Sequence, residues 1–142
     1  MTTYTYNDGG RAAAGFKGEA RDCVVRAIAI ATETPYQDVY RTLQAACKAE
    51  APRAGQKRSG ARTGVHKATY KAFLRALGWV WTPTMAIGQG CKVHLRADEL
   101  PPGRLIVRCS RHLVAVIDGV IHDTHDSSRG GTRCVYGFWR KP

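Results

Sequence analysis

The stretch HLVAVIDGVIHDT, His112–Thr124, reads as a β-hairpin. Asp118-Gly119 stands between two apolar runs, the residue pair that a two-residue type I′ turn favours. With that turn Ile117 faces Val120, and pairing continues back to His112 opposite His125. Side chains alternate along each strand and opposed residues share a face. His112, Val114, Val116, Ile121, Asp123 and His125 then lie on one face. Leu113, Ala115, Ile117, Val120, His122 and Thr124 lie on the other. His112 and Asp123 become diagonal neighbours, roughly 7–8 Å apart at the backbone and within side-chain reach. A slip of one residue would separate them, so the turn decides whether an imidazole meets a carboxylate.

Working outward, Arg104–Cys109 before the hairpin and Arg133–Trp139 after it have strand character, as does the short run Trp79–Thr82. The half before them is helical. Asp22 is a good N-cap, and Cys23–Thr32 (CVVRAIAIAT) is apolar at nearly every position except Arg26. A helix apolar all round is buried all round, although the β-branched Val24, Val25, Ile28 and Ile30 would also allow a strand. Thr34-Pro35 opens a second, amphipathic helix to about Glu50, carried by Tyr36, Val39, Tyr40, Leu43, Ala46 and Cys47. Thr63 or Gly64 opens a third through Leu77, with Val65, Ala72, Phe73, Ala76 and Leu77 as its stripe and Gly78 past its end. Met1–Glu19 looks irregular, and Ala51–Arg62 (APRAGQKRSGAR) reads as a flexible basic loop. Helices first and an antiparallel meander afterwards define an α+β domain, with a central buried helix packed on a C-terminal antiparallel sheet.

Cys23 stands one residue after the expected cap. Unpaired N–H groups and the helix dipole favour a thiolate there. The same N–H groups suit an oxyanion. A neighbouring His can take the thiol proton, and a carboxylate can hold that His in one tautomer. Cys23, His112 and Asp123 are therefore candidate parts of a nucleophilic site. Cys47, Cys109 and Cys134 fall on apolar elements, where a free cysteine is usually a small core residue.

This order of parts resembles the papain-like fold of cysteine peptidases in its minimal form, as in bacteriocin-processing and staphopain-type relatives. The matching residues are DCVVRA around Cys23, RHLVAVIDG around His112 and IHDT around Asp123, and the ending VYGFWRKP resembles the closing strand of such a sheet. The chain also looks like small uncharacterised proteins carried by phages and prophages. The resemblance implies one papain-like domain over residues 1–142, acting as a cysteine hydrolase, a peptidase or isopeptidase, on protein or peptide. It implies Cys23 as nucleophile, His112 as base and then acid, Asp123 as the residue orienting the ring, and no cofactor. The sequence departs from the family where a Gln is usual, about six positions before the Cys. Lys17 stands there, so Lys17, Asn7 or backbone N–H groups such as that of Cys23 are the candidates for the oxyanion.

The chain has 142 residues, enough for one domain with its own core. No window approaches the roughly 18 apolar residues of a membrane span, and Met1–Gly10 lacks the apolar core of a secretion signal. A cytoplasmic address is expected, with all five cysteines as reduced thiols. The net charge of +11 calls for an anionic partner or substrate surface. Arg53, Lys57, Arg58, Arg62, Lys67, Lys71 and Arg75 concentrate basic side chains in the loop and third helix. They are candidate contacts for nucleic acid or a partner, with Tyr70, Trp79 and Trp81 available for stacking. A non-catalytic basic binding module, for nucleic acid or a host protein, is the alternative to an enzyme. A metal-binding protein is the other, since His112, Asp123 and His125 share a face, His122 and Asp126 are adjacent, and Cys91 and His94 lie close. No clean set of four ligands exists for a structural zinc, so no metal site is assigned.

Overall fold

A computed structural model describes residues 3–51 and 55–142. In chain order the elements are β1 (Thr3–Tyr6), α1 (Cys23–Thr32), α2 (Tyr36–Lys48), α3 (Lys67–Ala76), β2 (Val80–Pro83), a 3-10 turn (Ala97–Glu99), β3 (Arg104–Cys109), β4 (His112–Ile117), β5 (Val120–Asp123) and β6 (Gly137–Arg140). The class is α+β. The six strands form one sheet in the order β1-β5-β4-β3-β6-β2. Every pairing is antiparallel except β1 on β5, which is parallel. The sheet is therefore mixed, and the segment expected to be irregular supplies its edge strand. TYTY alternates β-formers, but only a parallel partner far along the chain gives them a ladder.

The hairpin has the register set by its turn: Ala115↔His122, Val116↔Ile121 and Ile117↔Val120. Asp118 and Gly119 both hold positive φ, 48° and 79°. This is the left-handed pair that the type I′ turn demands. A Cβ at Gly119 would also stand 2.9 Å from that of Ala97. Alternation then divides the core. Leu113, Ala115, Ile106 and Trp139 face the helices, whereas Val114, Val116, Ile121, Leu105, Val107 and Phe138 face a second cluster covered by Leu95 and Leu100.

α1 packs on β4, with α2 on its other side. Its Val24, Val25, Ala27, Ile28, Ala29, Ile30 and Ala31 are all buried, as an all-apolar helix requires. Phe16, from the N-terminal segment, closes over Tyr36 and Tyr40 of α2. Each fully buried side chain of this layer, such as Leu43 or Ile28, contributes about 1.5–3 kcal/mol of transfer free energy.

Several expectations need correction. α3 buries Tyr70 and Leu74, while Ala72, Ala76 and Leu77 are exposed and Phe73 is half-buried. The inward face is the i, i+4 pair Tyr70 and Leu74, and the helix begins at Lys67, later than its sequence pattern suggests. The basic loop is not uniformly loose. Arg53 lies outside the described residues, but Ser59 donates to Glu50 from both its N–H and its hydroxyl. The Ala61 N–H donates to Gln44, and Ala61 is fully buried. The last strand is shorter than expected, Gly137–Arg140, and Cys134 only bridges His94. Finally, Cys91 and Cys134 form a disulfide, so only Cys23, Cys47 and Cys109 are free thiols. The Cα atoms of Cys91 and Cys134 are 5.8 Å apart across the bridge that pairs residues 93–95 with 133–135. Spacing in sequence does not reveal such a contact. No helix among the described residues is long and apolar enough to cross a membrane.

Candidate active site

At one end of the sheet the N-terminus of α1 meets the start of β4 and the end of β5. His112 opens β4, immediately after the Ser110-Arg111 turn. Asp123 closes β5 just beyond the last paired residues of the hairpin. His112 Nε2 and Asp123 Oδ2 are 2.6 Å apart, and the two side chains are 9% and 2% exposed. With Nε2 engaged, Nδ1 is the ring nitrogen left to face Cys23. The ring and the thiol line the same cleft, and each shifts the titration of the other. The structure thus brings together Cys23, His112 and Asp123.

Electrostatics follow from this packing. Burial pushes the Cys23 thiol up, but the hydrogen bond and charge of His112, the Leu113 backbone N–H and Arg26 together bring its pKa below the ordinary thiol value. Burial disfavours a charged His112, yet the hydrogen bonds to Asp123 and Cys23 and their charges raise it to about 9. Asp123 is pushed up by burial and pulled further down by His112, by the Thr124 N–H at 2.7 Å and by Arg26. Its carboxyl sits well below the usual carboxylate range and stays ionised. Both shifts run in the direction of a thiolate beside an imidazolium.

The sequence pattern does not assign Arg26 and Asp22 to this site. Arg26 reaches Asp123 Oδ1 at 3.2 Å and also forms an ion pair with Asp22 one turn back. Asp22 does not cap α1 with its side chain, contrary to expectation. Its buried carboxylate accepts from the Tyr36 hydroxyl at 2.5 Å and lies 3.5 Å from Arg11 Nε. A guanidinium inside an otherwise apolar helix must find carboxylates, and that demand outweighs capping. The signal for Arg26 is present in the sequence: it is the sole charge in CVVRAIAIAT.

The remaining candidates divide. Cys23, His112 and Lys67 line one cleft of about 290 Å³ with Arg21, Tyr70, Arg108, Cys109 and Arg111. Lys17 is exposed and outside that cleft, with its carbonyl accepting from Arg11. Asn7 stands 3.3 Å from His122 Nδ1 and does not line the cleft either. The N–H groups in the first turn of α1 are the donors that remain, since an α-helix leaves them without intrahelical acceptors. Lys57, Arg58 and Lys67 border a separate groove of about 790 Å³ between α2 and α3, which also contains Glu50. Arg62 lines a third cleft with Glu19 and Arg21, and Lys71 lines none of the three. The basic segment is thus not one continuous patch. Tyr70 and Trp79 are buried in the core, and Trp81 stacks on Trp139.

His112, Asp123 and His125 bring one ligand atom each within 4.8 Å of one another. His125 Nδ1 lies 3.9 Å from Asp123 Oδ1, the oxygen that also receives the Arg26 guanidinium and the Thr124 N–H. A metal there would displace the 2.6 Å His112–Asp123 hydrogen bond and stand against the Arg26 charge. The donor set therefore suits a hydrogen-bonded dyad better than a cation. Cys91, the other thiol considered for a metal, is held in the disulfide.

No family model, no curated protein and no solved structure matches this chain.

Proposed function

We propose that the protein is a cysteine hydrolase of papain-like design, cleaving a peptide or isopeptide bond with Cys23, His112 and Asp123. The observation that carries this reading is the coupled cluster at the head of α1: a thiol lowered by His112, and His112 held by buried Asp123 at 2.6 Å. The order of a buried helix beginning with Cys, a strand beginning with His and the next strand ending with Asp supports the family assignment.

On this reading the Cys23 thiolate attacks the carbonyl carbon and the π electrons move to the carbonyl oxygen. The N–H of Cys23 and its neighbours in the first turn hold that oxyanion. Collapse breaks the C–N bond, and the His112 imidazolium gives its proton to the departing nitrogen, leaving a thioester on Cys23. Neutral His112 then takes a proton from water, the resulting hydroxide attacks the thioester, and Cys23 leaves as thiolate. Asp123 remains ionised throughout and fixes the ring. A cytoplasmic address belongs to the same proposal, because Cys23 must stay reduced. The exposed Cys91 makes the Cys91–Cys134 pair accessible to reductants there.

The test is competitive alkylation of the folded protein with iodoacetamide near pH 7, read by mass spectrometry at Cys23, Cys47 and Cys109. Cys23 is expected to label first, and His112→Ala to slow it. Labelling of Cys23 no faster than of the two buried thiols would sink the reading.

A further inference from the structure

Four cations line the cleft beside Cys23: Arg21, Lys67, Arg108 and Arg111. No carboxylate lines it. Among the described residues none of the four is in an ion pair, whereas Arg26, Arg41, Arg96 and Arg104 each have an acidic partner. The Arg108 guanidinium lies instead over the ring of Tyr136, 5.5 Å from its centroid. The charges also sense one another: burial and then the Arg108 charge press Lys67 below its ordinary pKa. Like charges converging on a concavity repel, and a buried or bound anion relieves the repulsion.

Arg111 is held at the cleft by its place in the chain. It sits in the two-residue turn before His112 with φ 54°, a left-handed conformation that glycine or asparagine would adopt more easily. The tight β3–β4 reversal, with Cys109 paired to His112, accounts for that conformation, as the Asp118-Gly119 turn does at the other end of β4. The reversal places a guanidinium at the cleft, next in sequence to the ring of the dyad.

We infer that this cleft selects peptide substrates with an aspartate or glutamate side chain next to the scissile amide, and that Lys67, Arg108 and Arg111 receive that carboxylate. Arg21 completes the wall on the α1 side. The inference rests on the hydrolase reading of Cys23. An acidic peptide fits better than nucleic acid, because the cleft is small and lies against the reacting thiol. A polyanionic backbone needs a long basic track. The larger basic groove between α2 and α3 has Glu50 in its lining.

The experiment compares iodoacetate with iodoacetamide at Cys23 in the full chain, reagents that differ in the carboxylate. Glutathione measured alongside supplies the reference ratio. The iodoacetate-to-iodoacetamide ratio is expected to exceed that of glutathione by about tenfold at low salt and to fall as salt rises. The double substitution Lys67→Gln with Arg111→Gln should bring the ratio down severalfold. Removing an equal charge far from the cleft, with Arg41→Gln and Lys48→Gln, should leave it in place. Fast iodoacetamide labelling with a glutathione-like ratio would overturn the acid preference and leave the hydrolase reading standing. Slow labelling by both reagents would remove the hydrolase reading itself. A final arm adds hexaglutamate or a hexanucleotide as competitor. Protection of Cys23 by hexaglutamate supports a peptide substrate, and stronger protection by the oligonucleotide overturns it.

Discussion

Two cysteines line the same cleft, Cys23 at the head of α1 and Cys109 at the end of β3. Both feel arginines. Cys109 is 1% exposed, and burial pushes its thiol up to about 11 even though Arg133 and Arg129 oppose that rise. Cys23 is also penalised by burial, but it ends below the ordinary value. The difference lies in contact chemistry. Cys23 has an imidazole, a backbone N–H and a helix start, while Cys109 has only distant positive charge. Cationic surroundings alone do not make a reactive thiol; a hydrogen-bonding base held by a second buried group does.

The comparison can be broken most severely at Asp22. Asp22→Ala leaves Arg26 with one carboxylate and Tyr36 without its acceptor. A stability loss of about 3–5 kcal/mol in urea denaturation is expected, from the removal of one partner of a buried ion pair. His112→Ala should lower Cys23 alkylation at pH 7 by at least about tenfold, because the base and charge that oppose the burial of the thiol are removed. Cys109 labelling should not change, and an equal fall at both cysteines would show a folding defect instead.

Asp123→Asn sharpens the comparison through pH. His112 is raised to about 9 from an ordinary 6.5, so its stabilising interactions are complete below 6.5 and are lost as pH rises through about 9. Asp123 is lowered, so its contribution is present above 3.8 and is lost as pH falls into its depressed range. The wild-type alkylation profile should therefore change near pH 9. In Asp123→Asn that upper limb should move down toward 6.5, with a loss of about tenfold in rate near neutrality, the effect of losing a partner that orients and charges the ring. Cys109→Ser is the smallest change. It should cost about 1–3 kcal/mol for a hydroxyl placed among apolar side chains, with Cys23 reactivity intact.

Much of this site can be read from the sequence because hairpins are local. Asp118-Gly119 sets the register within a few residues, and the register places His112 beside Asp123. CVVRAIAIAT, apolar but for Arg26, points to a buried central helix with Cys23 at its first position. What stayed hidden depends on contacts between distant segments. β1 has no ladder without β5, and the Cys91–Cys134 pairing depends on how the segment before β3 folds over the sheet. Asp22 reads locally as a cap, but its carboxylate answers to Arg26, Tyr36 and Arg11. The basic segment lies far in sequence from Cys23, and its Lys67 nevertheless reaches the same cleft.

The parallel seam between β1 and β5 has a consequence for timing. The N–H of Asn7 donates to the carbonyl of Asp123 at 2.8 Å, and Arg26 reaches the Asp123 carboxylate across 97 residues of sequence. Synthesis runs from the N-terminus, so the helix with Cys23 leaves the ribosome long before its partners. Contacts spanning such separations form slowly. Until the last strands dock, Cys23 is an unremarkable thiol in a partly made chain. The surroundings that distinguish Cys23 from the other free thiols are therefore complete only after β4 and β5 have packed on α1.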